Sequence, residues 1–346
     1  MPGVSLLRSV QSRVSSLRDA LNDEQGFRGE GSCGDGRPRP SKRSEAPQAL
    51  FHCANEVRVI LSVVVIAHNE EANIGRTLAS VRPLVADGKG EIIVVDSGST
   101  DRTVEIAKSL GAKVFVEEWK GYAAQKNSAI EKATGDWILS LDADEEADEQ
   151  LVQEISWLLD AIPTWQKEGM PVDNDLRSKE LRDRGLEIGL DEDDLNGFFI
   201  PRKNYFLERW IRHGGFWPDS KLRFFRREAG KFQDQAVHET VKIQGTRSAV
   251  PHGALIHHSY PTLADYIDHM NRYSSLGAEM AAAKGRRGFS LFNIVVRPLA
   301  TFICNYFFRL GFLDGREGLL LHLYHAVYVS WKYAKAWELA RKMESS

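Results

Sequence analysis

The chain has 346 residues, 42% hydrophobic and 27% charged, a composition that supports a sizeable core and excludes collagen, coiled coil and wholesale disorder. Lysine and arginine number 45 against 48 acids, a formal charge of −3, so no global basic field points to nucleic acid. Three cysteines, Cys33, Cys53 and Cys304, are too few and too scattered for a disulfide framework or zinc cluster and fit a reducing, cytoplasmic compartment.

Residues 1–20 carry Arg8, Arg13 and Arg18 among Val4, Leu7, Val14 and Leu17, an amphipathic pattern without the continuous apolar run of a secretory signal. The run from Gly26 to Gln48 is rich in Gly, Pro, Ser and charge and reads as a flexible linker. The folded part is expected to begin near Val57, leaving 1–56 as an N-terminal extension. From there strand and helix signals alternate. Val59–Ala67 is a β-branched run of the kind buried on both faces of a parallel sheet. Asn69 is placed to cap a helix whose apolar face is Ile74, Leu78, Val81 and Val85. Glu91–Asp96 reads as a second strand and Ser97–Asp101 as a turn and cap; a helix through Val104, Ala107 and Leu110 stops at Gly111. A short strand at Lys113–Val116, a helix at Ala123–Ala133 and a strand at Trp137–Leu141 follow. This rhythm predicts an α/β fold, a mostly parallel sheet flanked by helices, with ligands beyond the carboxyl ends of the strands. Asp96 and the Asp142-Ala143-Asp144 group sit at two such ends.

A helix at about Asp148–Leu159 is followed by residues 166–196, whose ten acids against five bases read as a solvated insertion. Phe198–Val250 returns to short strand-like pieces rich in Phe, Trp and Arg. From Lys284 onward ten bases face four acids, a net +6, among long apolar stretches. Leu291–Leu313 is interrupted by Arg297, Pro298 and Arg309, and Gly318–Trp331 falls short of the roughly 20 residues a spanning helix needs. These stretches read either as amphipathic helices lying in a membrane interface or as a helical subdomain packed on the rest, and both can hold at once.

The most informative element is Asp142-Ala143-Asp144-Glu145 after an apolar strand. Two carboxylates emerging together at a strand end suit a divalent cation, Mg or Mn, that keeps waters and phosphate oxygens in its shell. The competing reading is that Asp144 and Glu145 stabilise the start of the next helix.

Here the pattern resembles a known family. Residues 59–145 are similar to the nucleotide-binding half of a family 2 glycosyltransferase with the GT-A, Rossmann-like fold. The likeness is carried by VVVIAHNEEANI at 63–74, IIVVDSGSTDRT at 92–103 and AAQKNSAIEKATGDWILSLDADE at 123–145. Downstream, GGFWPDSKLRFFRR (214–227), AVHETV (236–241), HHSYPTLADYIDHMNRYS (257–274) and GFLDGREGLLLHLYHA (311–326) resemble bacterial lipopolysaccharide-core β-1,4-glucosyltransferases. The resemblance implies a catalytic domain at 57–260 and a membrane-associating helical region at 261–346; the 166–196 insertion within the first, like the extension at 1–56, has no place in the family pattern. It implies an inverting transferase peripheral to the cytoplasmic face of the inner membrane. Its donor would be a nucleotide sugar, UDP-glucose first, and its acceptor a core oligosaccharide or glycolipid.

The resemblance also distributes roles. Asp96 would recognise the nucleotide and Glu70 line its pocket. Lys126 falls where the family places a basic residue, more often Arg, beside the diphosphate; a solvated helix lysine is the alternative. Asp142 and Asp144 would hold the ion, Asp144 more directly, with His257 or His258 as the late histidine, His257 preferred. Gly214-Gly215-Phe216-Trp217 would shape the cleft, with Trp217 able to stack on a sugar. Glu239 would be the base that deprotonates the acceptor hydroxyl, with Asp219 and, more weakly, Asp234 as rivals and an arginine ion pair as the structural alternative. His213, His238 and His252 read as structural. Transfer to a polyprenyl phosphate is the rival activity, and an inactive nucleotide-binding scaffold the rival class. A dehydrogenase is excluded, because His68-Asn69-Glu70 stands where a G-x-G-x-x-G loop would follow the first strand.

Overall fold

Strand β1 (Leu61–Ala67) is the spine of the sheet. Its run LSVVVIA is β-branched and buried along nearly its whole length, as a strand covered on both faces requires. In the computed structural model β2 (Gly90–Asp96) and β4 (Trp137–Asp142) flank it in parallel, and β3 (Lys113–Val116) continues beyond β2. The structure describes residues 60–167, 195–233, 240–250, 252–284 and 288–344. The expectations for 1–56, for most of the 166–196 insertion and for Asp234, His238 and Glu239 lie outside the described residues.

Helices α1 (Ile74–Val85), α2 (Thr103–Ser109) and α3 (Tyr122–Glu131) follow β1, β2 and β3 in turn. On α1, Ile74, Leu78 and Val81 are buried as the periodicity predicts, with Leu84 rather than Val85 completing the face. Asn69, however, does not cap this helix. The residue before α1 is Asn73, and no side chain caps it. Asn69 instead adopts a left-handed φ of 56°, and its Oδ1 accepts from the Thr100 amide at 2.8 Å. More bonds cross between the same two loops. The amides of Asn69 and Glu70 donate to Ser99 Oγ (2.8 Å) and Thr103 Oγ1 (2.7 Å), and those of Glu71 and Arg102 to Asp101 Oδ2 and Glu71 Oε2 (3.1 Å each). Gly111, at φ +84°, stops α2 as expected.

Beyond β4 the sheet is mixed. Its order is β3-β2-β1-β4-β8-β6-β12-β5, with β5 (Glu145–Ala147), β6 (Leu195–Phe206), β8 (Asp219–Arg226) and β12 (Leu255–Tyr260). β7 (Arg209–Trp210) and β11 (Thr246–Ala249) pair with β6, while β9 (Gly230–Gln233) and β10 (Thr240–Ile243) form a separate ribbon. Trp137, Phe198 and Phe224 stack where the two halves join, with centroids 4.8 and 5.4 Å apart. One pairing matters for the site. β5 leaves the end of β4 and runs antiparallel to β12, so Glu145 lies opposite His257.

α4 (Glu149–Lys167) follows β5, and the remaining helices are α5 (Leu263–Ala283), α6 (Arg297–Ile303) and α7 (Gly315–Glu344). α6 is flanked by π-helical turns at Phe292–Val296 and Cys304–Phe308, and a 3₁₀ turn, Gly311–Asp314, leads into α7. α5 and α7 meet through small residues, Ala278 and Ala281 against Ala336. Phe206, Ile211, Tyr266 and Leu321 share one buried cluster, which joins these helices to the sheet. Among the described residues no helix is long and apolar enough to cross a membrane.

A buried carboxylate fastens the opposite end of the sheet. Glu91 accepts from Ser62 Oγ (2.7 Å), the Thr134 amide and hydroxyl (2.7 Å each) and Lys113 Nζ (2.6 Å). Burial alone would raise its pKa, but these donors pull it down to about 2. A depressed carboxylate stabilises the fold above its unfolded pKa, so this contribution should fade as pH falls from about 4.5 towards 2. Glu91→Gln is expected to cost about 1.5–3 kcal/mol in urea unfolding at pH 7 and to flatten the acid limb of the stability profile.

Candidate active site

The site forms where β4 ends. Glu145, fully buried, anchors it by accepting from Arg223 Nη2 at 2.8 Å, Arg202 Nη1 at 3.0 Å and the Asp142 amide at 2.9 Å. The Ala143 carbonyl accepts from Thr77 Oγ1 at 2.6 Å, which pins the turn to α1. Asp142 Oδ1 takes Lys126 Nζ at 2.8 Å, and its Oδ2 is hydrogen-bonded to Arg223. Burial opposes ionisation of Asp142, but Arg223 and Lys126 outweigh it and hold the carboxyl well below the usual range. Lys126, 1% exposed, is therefore no solvated helix lysine; its ammonium also lies 5.2 Å from the Phe232 ring centroid.

The two carboxylates of the Asp142–Asp144 motif do not emerge together. Asp142 is taken up by two buried cations, while Asp144 turns towards β12, where His257 Nε2 stands 3.4 Å from its Oδ2. Burial works against the charge on both Asp144 and His257, and their attraction prevails, lowering the pKa of Asp144 and raising that of His257. His257 Nδ1 lies 2.7 Å from both Asn204 Oδ1 and Ser259 Oγ. A hydrogen bond donated from Nδ1 to either oxygen fixes the ring with Nε2 towards Asp144, protonated in the ion pair and able to ligate a cation that displaces that proton. The neighbouring histidine points elsewhere: His258 Nε2 meets Glu146 Oε1 at 2.6 Å, and that oxygen also receives Arg76 Nε at 3.1 Å.

Among the described residues no group of three or more His, Cys, Asp or Glu side chains is gathered to hold a metal. Asp144 and His257 together offer one oxygen and one nitrogen donor. That fits an ion whose remaining positions are completed by water and substrate oxygens. Asp142, with both oxygens on buried cations, fits such an ion poorly.

Asp96 is fully buried at the end of β2. Its Oδ2 accepts from the amides of Gly98 (2.9 Å) and Ser99 (2.8 Å), and its Oδ1 from Ser99 Oγ. The carboxylate thus builds the turn that a ligand at this strand end would meet. Glu70 accepts from Asn73 Nδ2 at 2.7 Å; burial lifts its pKa, Asn73 opposes, and Asp144 adds to the rise.

Across the site, Gly214 and Gly215 take φ of +69° and +88°, a conformation suited to glycine. Trp217 stands edge-on to Trp210 at 5.2 Å. Asp219, the rival base, is bound by Arg202 and by Lys221 at 3.0 Å. Burial would raise its pKa, but these cations bring it down to about 2, too acidic for a useful proton acceptor near neutrality. Asn204 joins the pieces: its Nδ2 lies 3.3 Å from Asp219 Oδ2 and 3.4 Å from the Phe216 carbonyl, while its Oδ1 meets His257. Arg202 and Asn204 were missed as site residues by sequence reasoning. Their signal was a polar pair in the period-two set Phe198, Ile200, Arg202, Asn204, Phe206.

Residues 62–229 match the family described as Glycosyl transferase family 2. That segment is similar to a family 2 glycosyltransferase domain. Of the site residues, Glu70, Asp96, Lys126, Asp142, Asp144, Trp217 and Asp219 lie inside the matched segment, and Glu239 and His257 follow it. An uncharacterized glycosyltransferase of Rickettsia typhi, RT0209, is 28% identical over 297 residues, covering 82% of this chain and 88% of the relative. The lipopolysaccharide core biosynthesis glycosyltransferase LpsC of Rhizobium meliloti is 27% identical over 289 residues, covering 80% and 92%. Among solved structures, glucosyl-3-phosphoglycerate synthase from Mycobacterium tuberculosis, crystallised with Mn2+ and UDP, is 27% identical, with a TM-score of 0.26, over 34% of this chain. The chain spans 46% of that enzyme's length. The protein is a glycosyltransferase with a lipopolysaccharide-core relative.

Proposed function

We propose that this glycosyltransferase moves a hexose, glucose first, with inversion from a nucleotide-diphosphate donor, UDP-glucose first, to a lipopolysaccharide-core or related glycolipid acceptor at the cytoplasmic face of the inner membrane. The observation that carries the reading is the facing pair Asp144 and His257, beside the buried cations Lys126 and Arg223 and the half-buried Arg202, at the carboxyl end of β4. The turn built by Asp96 and the tied loops at 68–71 and 97–103 would receive the nucleotide, with Glu70 beside it. Asp144 and His257 would hold a divalent ion, Mg or Mn, which when bound offsets charge on the leaving diphosphate. Lys126 acts from beneath, by fixing Asp142 and adding positive potential, and does not grip the diphosphate itself. Trp217 offers its face to a sugar. Glu239 is the base, since a sugar hydroxyl is barely ionised at neutral pH. The relative LpsC supports the choice of acceptor.

The test is a donor panel with purified protein and core oligosaccharide, with and without manganese. Nucleotide-diphosphate release is expected to be fastest from UDP-glucose and to vanish in EDTA. Unchanged release in EDTA would remove the metal, and equal rates from every donor would remove the hexose preference.

A further inference from the structure

Fourteen of the nineteen exposed large apolar side chains among the described residues fall between Phe289 and Leu323. Phe308 is 79% exposed, Leu291 64% and Phe292 63%. Apolar surface gathered on this scale marks an interaction face. Its charge names the occupant. Lys284, Arg297, Arg309 and Arg316 are exposed around it, and the only acid from 284 to 316, Asp314, is buried. A face both apolar and cationic, whose one other acid, Glu317, is half-buried and 3.6 Å from Arg209, fits an anionic bilayer surface.

The same segment holds the glycine loop. Asp314 Oδ1 and Oδ2 accept from the amides of Arg212 (3.2 Å) and His213 (2.8 Å), and His213 Nδ1 lies 2.9 Å from Oδ1. The Gly214 amide donates to the Arg309 carbonyl at 2.9 Å. There is no slack behind these bonds, because a Cβ at Gly214 or Gly311 would come within 1.9 or 2.2 Å of the His322 ring. Within this turn Leu310, Phe312 and Leu313 point to solvent while Asp314 points inward.

We infer that residues 289–313 dock on anionic lipid and that the 309–314 turn transmits docking to the Gly214–Trp217 loop, so that the loop is set for an acceptor sugar carried at the bilayer surface. The coupling rests on reading that loop as a wall of the transfer cleft. Asp314 is then a positioning residue.

The full chain is sedimented with phosphatidylcholine vesicles, with and without phosphatidylglycerol. Binding is expected only with the anionic lipid, and Phe307→Ser with Phe308→Ser should weaken it about tenfold or more. Amide exchange at 212–216 should slow when those vesicles are added. Asp314→Asn should bind vesicles like the parent protein yet lose that slowing and any vesicle stimulation of transfer. Undiminished vesicle binding by the double variant, or exchange at 212–216 indifferent to lipid, overturns the inference. So does a dimer that the double variant abolishes, without vesicle binding, or carbonate-resistant integration. Vesicle binding with slowed exchange in a protein that turns over no donor upholds this inference while sinking the reading of the site.

Discussion

Asp144→Asn is expected to cut turnover at saturating donor and acceptor by about 10²–10³-fold, or about 3–4 kcal/mol of transition-state stabilisation. Asparagine keeps the shape and one acceptor oxygen but removes the charge that, with His257, would hold a cation against the diphosphate. Stability should change little, because Asp144 is part-exposed and its ionic contact with His257 is a loose 3.4 Å. Asp142→Asn should behave differently. It takes a carboxylate away from the buried Lys126 and one of two from the buried Arg223, which keeps Glu145, and is expected to cost about 3–5 kcal/mol of folding stability. Steady-state kinetics and chemical denaturation on both variants separate the two roles. Near-normal turnover of Asp144→Asn would take that carboxylate out of the chemistry. Parental stability of Asp142→Asn would show that the buried cations do not need it.

Glu239→Gln is expected to lower turnover by about 10²–10⁴-fold while leaving donor affinity in place. Glutamine matches glutamate in size and cannot accept the acceptor's proton. Donor binding depends in this scheme on Asp96, Asp144 and His257, and Glu239 is assigned no part in it. With Asp219 committed to Arg202 and Lys221 and too acidic to serve, Glu239 stays the proposed base, with Asp234 as its rival. Turnover is measured at saturating substrates and donor affinity by calorimetry. Equal losses in both would make Glu239 structural, and near-parental turnover would move the base to Asp234.

The parallel half of the fold was legible because each strand is a short apolar run ending in a polar punctuation mark. Val63–Val65 and Ile92–Val95 could hardly be read otherwise. The importance of Asp142 and Asp144 was visible in their spacing, but their division of labour was not. That division depends on Arg223 and Arg202, which reach the turn from strands β8 and β6, far along the chain. No linear pattern encodes an antiparallel insertion of β8 beside β4. Likewise β5 is three residues long, too short to show a period, yet its pairing with β12 is what brings His257 to Asp144. Asn69 misled for a local reason: asparagine before an apolar periodic stretch is good cap chemistry, and a cross-loop bond outcompeted it. The C-terminal apolar stripes were visible from composition; that a buried acid among them would hold a glycine loop nearly a hundred residues upstream was not.

The cross-bonded loops at 68–71 and 97–103 bear on how fast a nucleotide can arrive. Five backbone amides there are already bonded to side chains of the opposite loop, so the rim has little conformational freedom left to lose when a ligand lands. An edge formed in advance does not need to rearrange before it can bind. Stopped-flow traces for nucleotide binding should therefore show an observed rate that climbs in proportion to ligand concentration, without the plateau that a slow rearrangement imposes.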